Sequence, residues 1–244
     1  MALLDLDTAK AKKYTDTKSV KEESGYTSPF CYPLWPCDRV GEYILAKSAV
    51  AGAMIQYMAS DNEDVPNQSP SNHLLGVGGQ CLEDGTEVYL DQDQANTVNG
   101  YGVTTAINQN GYRLWGNYTG AYPASSDAKD IWFAVRRMFS WQGNNFIQTY
   151  FDEVDEPMNN VLVQSVVDSE NIRCSAYAPK YWAGASIEYK SDDNPKTAIL
   201  AGTMKFRQHI APYTPAQEIV DIIDYDTCLL YTSPSPRALS TSRM

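Results

Sequence analysis

Histidine is nearly absent from this chain: the only two, His73 and His209, stand beside neither a cysteine nor paired acids. A zinc site or a Cys-His dyad therefore has no support in the sequence. Long apolar runs are also missing; none reaches the roughly 20 residues a membrane-spanning helix requires, so membrane insertion is not expected. Basic residues are scarce, 19 Lys and Arg against 30 Asp and Glu for a net charge of -11. Binding to nucleic acid, which needs a basic surface, is not expected either. The cysteines, Cys31, Cys37, Cys81, Cys174 and Cys228, are odd in number and scattered, a pattern of free buried thiols rather than of a disulfide framework, and no redox role is expected. The first twenty residues lack the apolar block of a secretion signal, and the chain is read as folding in a cytoplasm.

What is present is an ordinary globular composition, 43% hydrophobic and 20% charged, enough for a sizeable core. The chain centres on Gly100 to Pro123. Val103 to Ile107 and Tyr112 to Trp115 read as two strands joined by Asn108-Gln109-Asn110-Gly111, whose Asn-Gly pair supplies the positive φ of a tight hairpin. Arg113, Trp115, Gly116 and Asn117 at its far end are expected to form a packed structural hub, with Trp115 as its buried corner.

Around this hairpin, residues 1–24 are polar and lysine-rich and are expected to be a flexible segment. Tyr26 to Pro36, with three prolines among aromatics, must be extended and is expected to lie across another surface. A helix is predicted over Glu42 to Ala59, strands over Leu74 to Val77 and Thr86 to Leu90, and a short helix over Asp91 to Val98. Asp127 is a predicted N-cap. On a continuous helical wheel from there, Ile131, Trp132, Ala134, Val135, Met138 and Phe139 form the apolar arc, while Lys129, Phe133, Arg136 and Arg137 face outward. That outer face is either a solvated surface or a contact surface. A second helical piece is predicted over Gln142 to Phe151. Another helix is predicted from Asp155-Glu156-Pro157 to near Asn171, with Met158, Leu162, Val163, Val166 and Val167 as its buried stripe. Gly184 to Tyr189, Thr203 to Ile210 and Gln217 to Tyr225 read as strands. The predicted class is α+β: a mixed sheet with packed helices and extended arms.

Several constellations bear on chemistry. Asp152, Glu153, Asp155 and Glu156 offer paired carboxylates of the kind a glycosidase uses, but acids gathered at a helix start serve the helix dipole equally well. Asp91-Gln92-Asp93 with Asn96 departs from a calcium loop at its third ligand, at its turn glycine and at its final glutamate. Gly76, Gly78 and Gly79 lack a following Walker lysine. No catalytic residue, cofactor site or metal site is expected.

The chain resembles the C-terminal half of contractile phage tail sheath proteins. The residues that carry the resemblance are Tyr26-Thr27-Ser28-Pro29, Leu34-Trp35-Pro36, Ser69-Pro70-Ser71-Asn72 and Arg113-Leu114-Trp115-Gly116-Asn117 with Thr119 and Tyr122-Pro123. They continue through Trp132 to Arg136-Arg137, Asp155-Glu156-Pro157-Met158-Asn159, Asp168-Ser169-Glu170-Asn171-Ile172-Arg173, Asn194-Pro195 and Pro212 to Glu218. The resemblance covers residues 25–227, taken as a partial sheath core and C-terminal domain. It implies a structural subunit, not an enzyme. That subunit stacks as six-fold rings around a tail tube, meets baseplate and tail terminator proteins, and contracts to drive the tube through a cell envelope. Such a protein resides in the virion after assembly in the bacterial host cytoplasm. Strand addition between neighbours is implied for Gln217, Ile219, Asp221, Ile223 and Tyr225, and tube or inter-subunit contact for Lys129, Phe133, Arg136 and Arg137. The chain is shorter than that family's norm, so an outer insertion domain and N-terminal arm are expected to be missing and assembly of regular tubes is not expected. Residues 228–244, low in complexity and rich in Ser and Pro, resemble translated adapter sequence and are set aside as an artefactual or disordered tail. The alternatives are a non-sheath tail or baseplate protein, or a glycan-binding or glycan-hydrolysing module using the aromatic loops and the carboxylates around Asp152.

Overall fold

A computed structural model describes residues 1–157 and 159–225; Met158 and the tail from residue 228 lie outside the described residues. The N-terminal segment departs from expectation. Instead of a flexible arm it forms strand β1 (Ala2–Asp5), a 3-10 turn (Tyr14–Asp16) and helix α1 (Thr17–Glu23), and it buries Leu6, Ala11 and Val20. Its apolar residues are too sparse to show a period, yet each enters the same core cluster as Trp35, Leu82, Val98 and Val103.

Strand β1 pairs in parallel with β2 (Cys31–Leu34). The proline-aromatic stretch is therefore core rather than an external strap, with Tyr32, Leu34 and Trp35 at most 1% exposed. A bridge between Leu34 and Thr104 connects β2 to the hairpin of β6 (Thr105–Asn108) and β7 (Tyr112–Trp115), and Leu74 bridges Arg113 beyond it. Parallel and antiparallel pairings thus run side by side through these strands. The hairpin forms as predicted, with positive φ at Asn110 (53°) and Gly111 (104°).

A second sheet, ordered β4-β3-β5, is made of β3 (Cys37–Val40), β4 (Tyr43–Leu45) and β5 (Gly79–Cys81). Two expectations change here. Tyr43 to Leu45 turns back on β3 as a strand, so α2 spans Lys47–Asp61 rather than starting at Glu42. Leu74 and Glu87 make only single bridges, and the strand between them is β5. Helix α3 (Gln92–Gly100) is capped by Asp91, whose carboxylate accepts from the Gln94 amide at 2.7 Å in a capping box.

The largest departure lies after Asp127. The cap is real, the Asp127 carboxylate accepting from the Lys129 amide at 2.9 Å, but the helix it opens, α4, covers only Ala128–Ile131. Trp132 is extended (φ -87°, ψ 120°) and bridges to Tyr118, and α5 (Phe133–Thr149) starts afresh, running unbroken through Gly143. A continuous wheel across this break buries Ala134, Val135 and Met138 correctly but misplaces Phe133, which is 1% exposed rather than outward and is stacked on Tyr32 with ring centres 4.0 Å apart. Helix α6 (Asn160–Tyr177) begins a few residues later than predicted. Asp155 has a φ of 70°, and Asn159 caps the helix by accepting from the Leu162 amide at 2.8 Å. Its fully buried positions are Val166, Glu170 and Cys174. The third cluster, Val65, Met138, Cys174, Tyr181 and Trp182, joins α5 and α6 to strand β8 (Trp182–Glu188). Helix α7 (Lys196–Leu200) leads into β9 (Arg207–Pro212), antiparallel to β8.

Candidate assembly interface

The β8–β9 ladder has two unlike edges. On the β8 side, the Asn171 amide of α6 brackets Ile187, donating to its carbonyl (3.1 Å) and accepting from its amide (3.0 Å). That side is closed at Ile187. On the β9 side no strand pairs among the described residues, leaving an open row of main-chain donors and acceptors. The turn feeding β9 is held by Asn194, which donates to the Lys190 and Lys205 carbonyls (both 2.9 Å) and accepts from the Lys205 amide (2.7 Å). Two asparagines of the sheath-like motifs thus act as clips between α6, β8 and β9. The Asn171→Ala change should leave the Ile187 main chain unpaired and cost about 1–3 kcal/mol, measurable by urea denaturation.

Gln217 to Tyr225 does not form a strand within this chain, which corrects the predicted strand. Ile219 (89% exposed), Ile223 (86%) and Tyr225 (81%) lie open to solvent. These apolar side chains have no strand partner among the described residues to cover them. Only the root of the segment is anchored, the Tyr118 hydroxyl donating to Gln217 Oε1 at 2.7 Å. Tyr118 itself stacks on Tyr122 (3.8 Å) and Trp132 (5.0 Å). A cavity of about 720 Å³ opens here, lined among others by Asn96, Trp115, Tyr118, Tyr122, Pro215 and Gln217.

The hub behind this cavity is built differently from expectation. Trp115 is only half-buried, its indole donating to Asn96 at 2.9 Å, whereas Leu114, on the opposite face of β7, is fully buried. Gly116 and Asn117 carry the junction. Gly116 has a φ of 141°, and a Cβ there would meet Asn99 Oδ1 and Thr104 Oγ1 at 2.7 Å. Its carbonyl accepts from the buried Tyr32 hydroxyl at 2.7 Å. The Asn117 carbonyl accepts from the Phe133 amide at 2.9 Å, tying the hairpin end to the start of α5. Arg113 donates to the Asn72 carbonyl at 2.8 Å and to that of Gln109 at 3.1 Å.

Arg136 and Arg137 are half-buried rather than free. Arg136 pairs with Asp130 (3.2 Å) and lies over the Phe30 ring (4.0 Å). Arg137 lies 5.5 Å from the Phe133 ring centre, and burial pulls its guanidinium down to about 10. Lys129 also reaches Asp130, at 3.3 Å. The structure therefore sets Phe133 beneath Arg137 rather than among the cations on the surface.

Asp152, Glu153, Asp155 and Glu156 are exposed. The last three rim a groove of about 480 Å³ floored by Phe146, Tyr150 and Phe206. Among the described residues, no group of three or more His, Cys, Asp or Glu is placed to hold a metal ion. Among them, too, no helix is long and apolar enough to cross a membrane. His209 lies 2.9 Å from Glu188 across the ladder, and burial lowers the His73 imidazole below its ordinary range.

Lys21 carries no signal in the sequence that marks it out. It is 4% exposed and donates to the carbonyls of Tyr101 (2.8 Å) and Tyr122 (2.5 Å), pinning α1 to the loop beside the hub. Burial pulls its amine from 10.5 down to about 8. Between these values the unfolded chain holds a proton that the folded chain does not, so this residue's contribution to stability rises with pH. The stability difference between wild type and Lys21→Met should shift in favour of wild type by about 1–2 kcal/mol from pH 8 to 9.5, read by urea denaturation at each pH.

The fold these elements build is that of contractile sheath assemblies. The sheath complex of an extracellular contractile injection system, PVC, in its contracted state superposes with a TM-score of 0.76 at 18% identity, covering 93% of this chain and 64% of that one. A chain of the anti-feeding prophage baseplate superposes with a TM-score of 0.72 at 20% identity, covering 92% and 60%. No protein-family model matches the chain. In sequence, the chain is similar to phage tail sheath proteins. It is 28% identical over 180 residues to the major tail sheath protein of Serratia phage KSP20, 71% of this chain and 44% of the relative. It is 22% identical over 215 residues to the tail sheath protein of Escherichia phage P2, 83% and 52%. The tail sheath protein of Burkholderia phage BcepMu is 31% identical over 145 residues, 55% and 28%. The chain thus spans about half the length of the first two relatives. None of these names denotes an enzyme.

Proposed function

We propose that this chain is the body of a contractile tail sheath subunit, a structural protein that associates with copies of itself around a tail tube and contracts. The observation that carries the reading is its sequence similarity to the P2 tail sheath protein, which extends over 83% of the chain. The geometry adds support. An open β9 edge and an unpaired apolar segment, Gln217 to Tyr225, are the two halves of a strand exchange that one chain does not complete alone. In this reading Gln217, Ile219, Asp221, Ile223 and Tyr225 add to the sheet of a neighbouring subunit, and subunits form six-fold rings stacked helically. Tube, baseplate and tail terminator proteins are the remaining partners, in a virion tail assembled in the bacterial host cytoplasm. Residues 25–227 correspond to the sheath core and C-terminal domain. Lys129, Arg136 and Arg137 remain the proposed tube or inter-subunit contact, with Phe133 packed beneath Arg137.

The test is association. Sedimentation velocity should show concentration-dependent oligomers, and the double variant Ile219→Pro, Ile223→Pro should abolish them without moving the melting temperature, because proline removes the ladder donors at exposed positions. A wild-type chain that stays monomeric at every concentration, or oligomers indifferent to the prolines, overturns strand exchange by this segment.

A further inference from the structure

Cys37 on β3 and Cys81 on β5 are direct cross-strand partners in the antiparallel register. Directly opposed residues in such a pair lie about 4.5–5.5 Å apart at Cα, inside the roughly 4.4–6.8 Å that a disulfide bridges, and the period-two pleat sends both side chains to one face. Both thiols are free and buried, Cys37 at 6% and Cys81 at 0% exposure. The other described cysteines stand apart from this pair in the fold: Cys31 is on β2, and Cys174 is on α6 in the third core cluster.

We infer that Cys37 and Cys81 form a site of reversible oxidation, closing to an intrachain disulfide that ties β3 to β5. The oxidant is a small-molecule disulfide such as oxidised glutathione. The Cys37 thiolate attacks one sulfur of the reagent and expels one reduced glutathione. The Cys81 thiolate then attacks the mixed disulfide at Cys37 and expels the second. Two protein thiols are oxidised, one reagent disulfide is reduced to two thiols, and the two protein protons pass to the released thiolates. The bond closes the loop that carries β4, α2 and the segment to Gly79, and it lies next to the buried Asp38–Lys47 pair. It therefore stiffens the subunit body while leaving the C-terminal segment untouched.

Formation is slow in the native state. Burial and the nearby acids Glu83 and Asp5 push the Cys37 thiol up to about 11, so little attacking thiolate is present at neutral pH. The first attack must await local opening of the three-residue strand β5, and mild urea should speed it.

The experiment is to incubate the full chain with oxidised glutathione, quench, denature, alkylate the remaining thiols and map the peptides by mass spectrometry. The expected result is a Cys37–Cys81 cross-linked peptide formed by loss of two hydrogens. A melting temperature higher by roughly 5–10 °C should accompany it and revert with dithiothreitol. Peptide mapping of the wild-type chain decides the matter without recourse to a variant. Glutathione adducts without the cross-link, a different cysteine pairing, or full alkylation of both residues after oxidation each overturn the proposal.

Discussion

Phe133→Ala should lower the stability of the chain by about 3–5 kcal/mol. The side chain is 1% exposed and fills the second core cluster with Tyr32, Leu34, Ala51, Ile55 and Leu114. Its removal takes away the stack on Tyr32 and the ring beneath Arg137. The Tyr32 hydroxyl, which burial holds above its ordinary range, would lose the apolar wall that lets it aim at the Gly116 carbonyl. The predicted loss is a large share of the roughly 5–15 kcal/mol that a domain commands. Thermal denaturation should show a fall of about 10 °C or more. A surface phenylalanine, as the unbroken helical wheel has it, would change stability by less than about 0.5 kcal/mol. One melting curve therefore separates the buried placement from the exposed one.

The second large effect is expected at Lys47. Its ammonium and the Asp38 carboxylate form an ion pair in which both side chains are 0% exposed, and Asp38 Oδ2 has no hydrogen-bond partner among the described residues. Burial raises the Asp38 carboxyl above its ordinary range, and the lysine beside it pulls the other way. Lys47→Met strands a buried carboxylate without its cation and should cost about 3–5 kcal/mol. Replacing both partners by apolar residues, Asp38→Leu with Lys47→Met, removes the desolvation penalty along with the attraction and should recover most of that loss. Urea denaturation of the two single variants and the double variant completes the cycle. A loss of less than about 1 kcal/mol for Lys47→Met alone would mean that water reaches the pair.

The buried pair and Phe133 share a lesson about legibility. Neither residue carries a local signal of its environment. Lys47 opens α2 but falls inside the helix predicted over Glu42 to Ala59, and nothing nearby in sequence announces that Asp38 closes over it from β3. Phe133 comes directly after Trp132, whose extended backbone is imposed by its bridge to Tyr118. A periodicity argument assumes continuous helical phase, so a residue pulled out of the helix by a distant partner lets Phe133 turn inward, while Ala134, Val135 and Met138 stay buried as predicted. The N-terminal segment hides its burial for a related reason: Leu6, Ala11 and Val20 are too widely spaced for a period, and only their packing with Trp35, Leu82, Val98 and Val103 shows that they are core.

Turn chemistry and helix caps are legible locally. Asn110-Gly111 makes the hairpin, Asp91 and Asp127 cap their helices, and Asn194-Pro195 leads into α7, because each of these depends on φ preferences or side-chain hydrogen bonds within a few residues. The sequence also carried the ordered motifs on which the resemblance to tail sheath proteins rests. What those motifs do was decided by tertiary structure. Asn171 clips Ile187, far along the chain on β8, Gly116 makes room for Thr104, and Cys37 meets Cys81. Each of these is a long-range encounter set by how strands align and helices pack, and no local pattern encodes the partner. The same holds for the segment from Gln217 to Tyr225: its β-branched apolar residues read as a strand, but a strand exists only where another supplies its hydrogen bonds, and among the described residues none does.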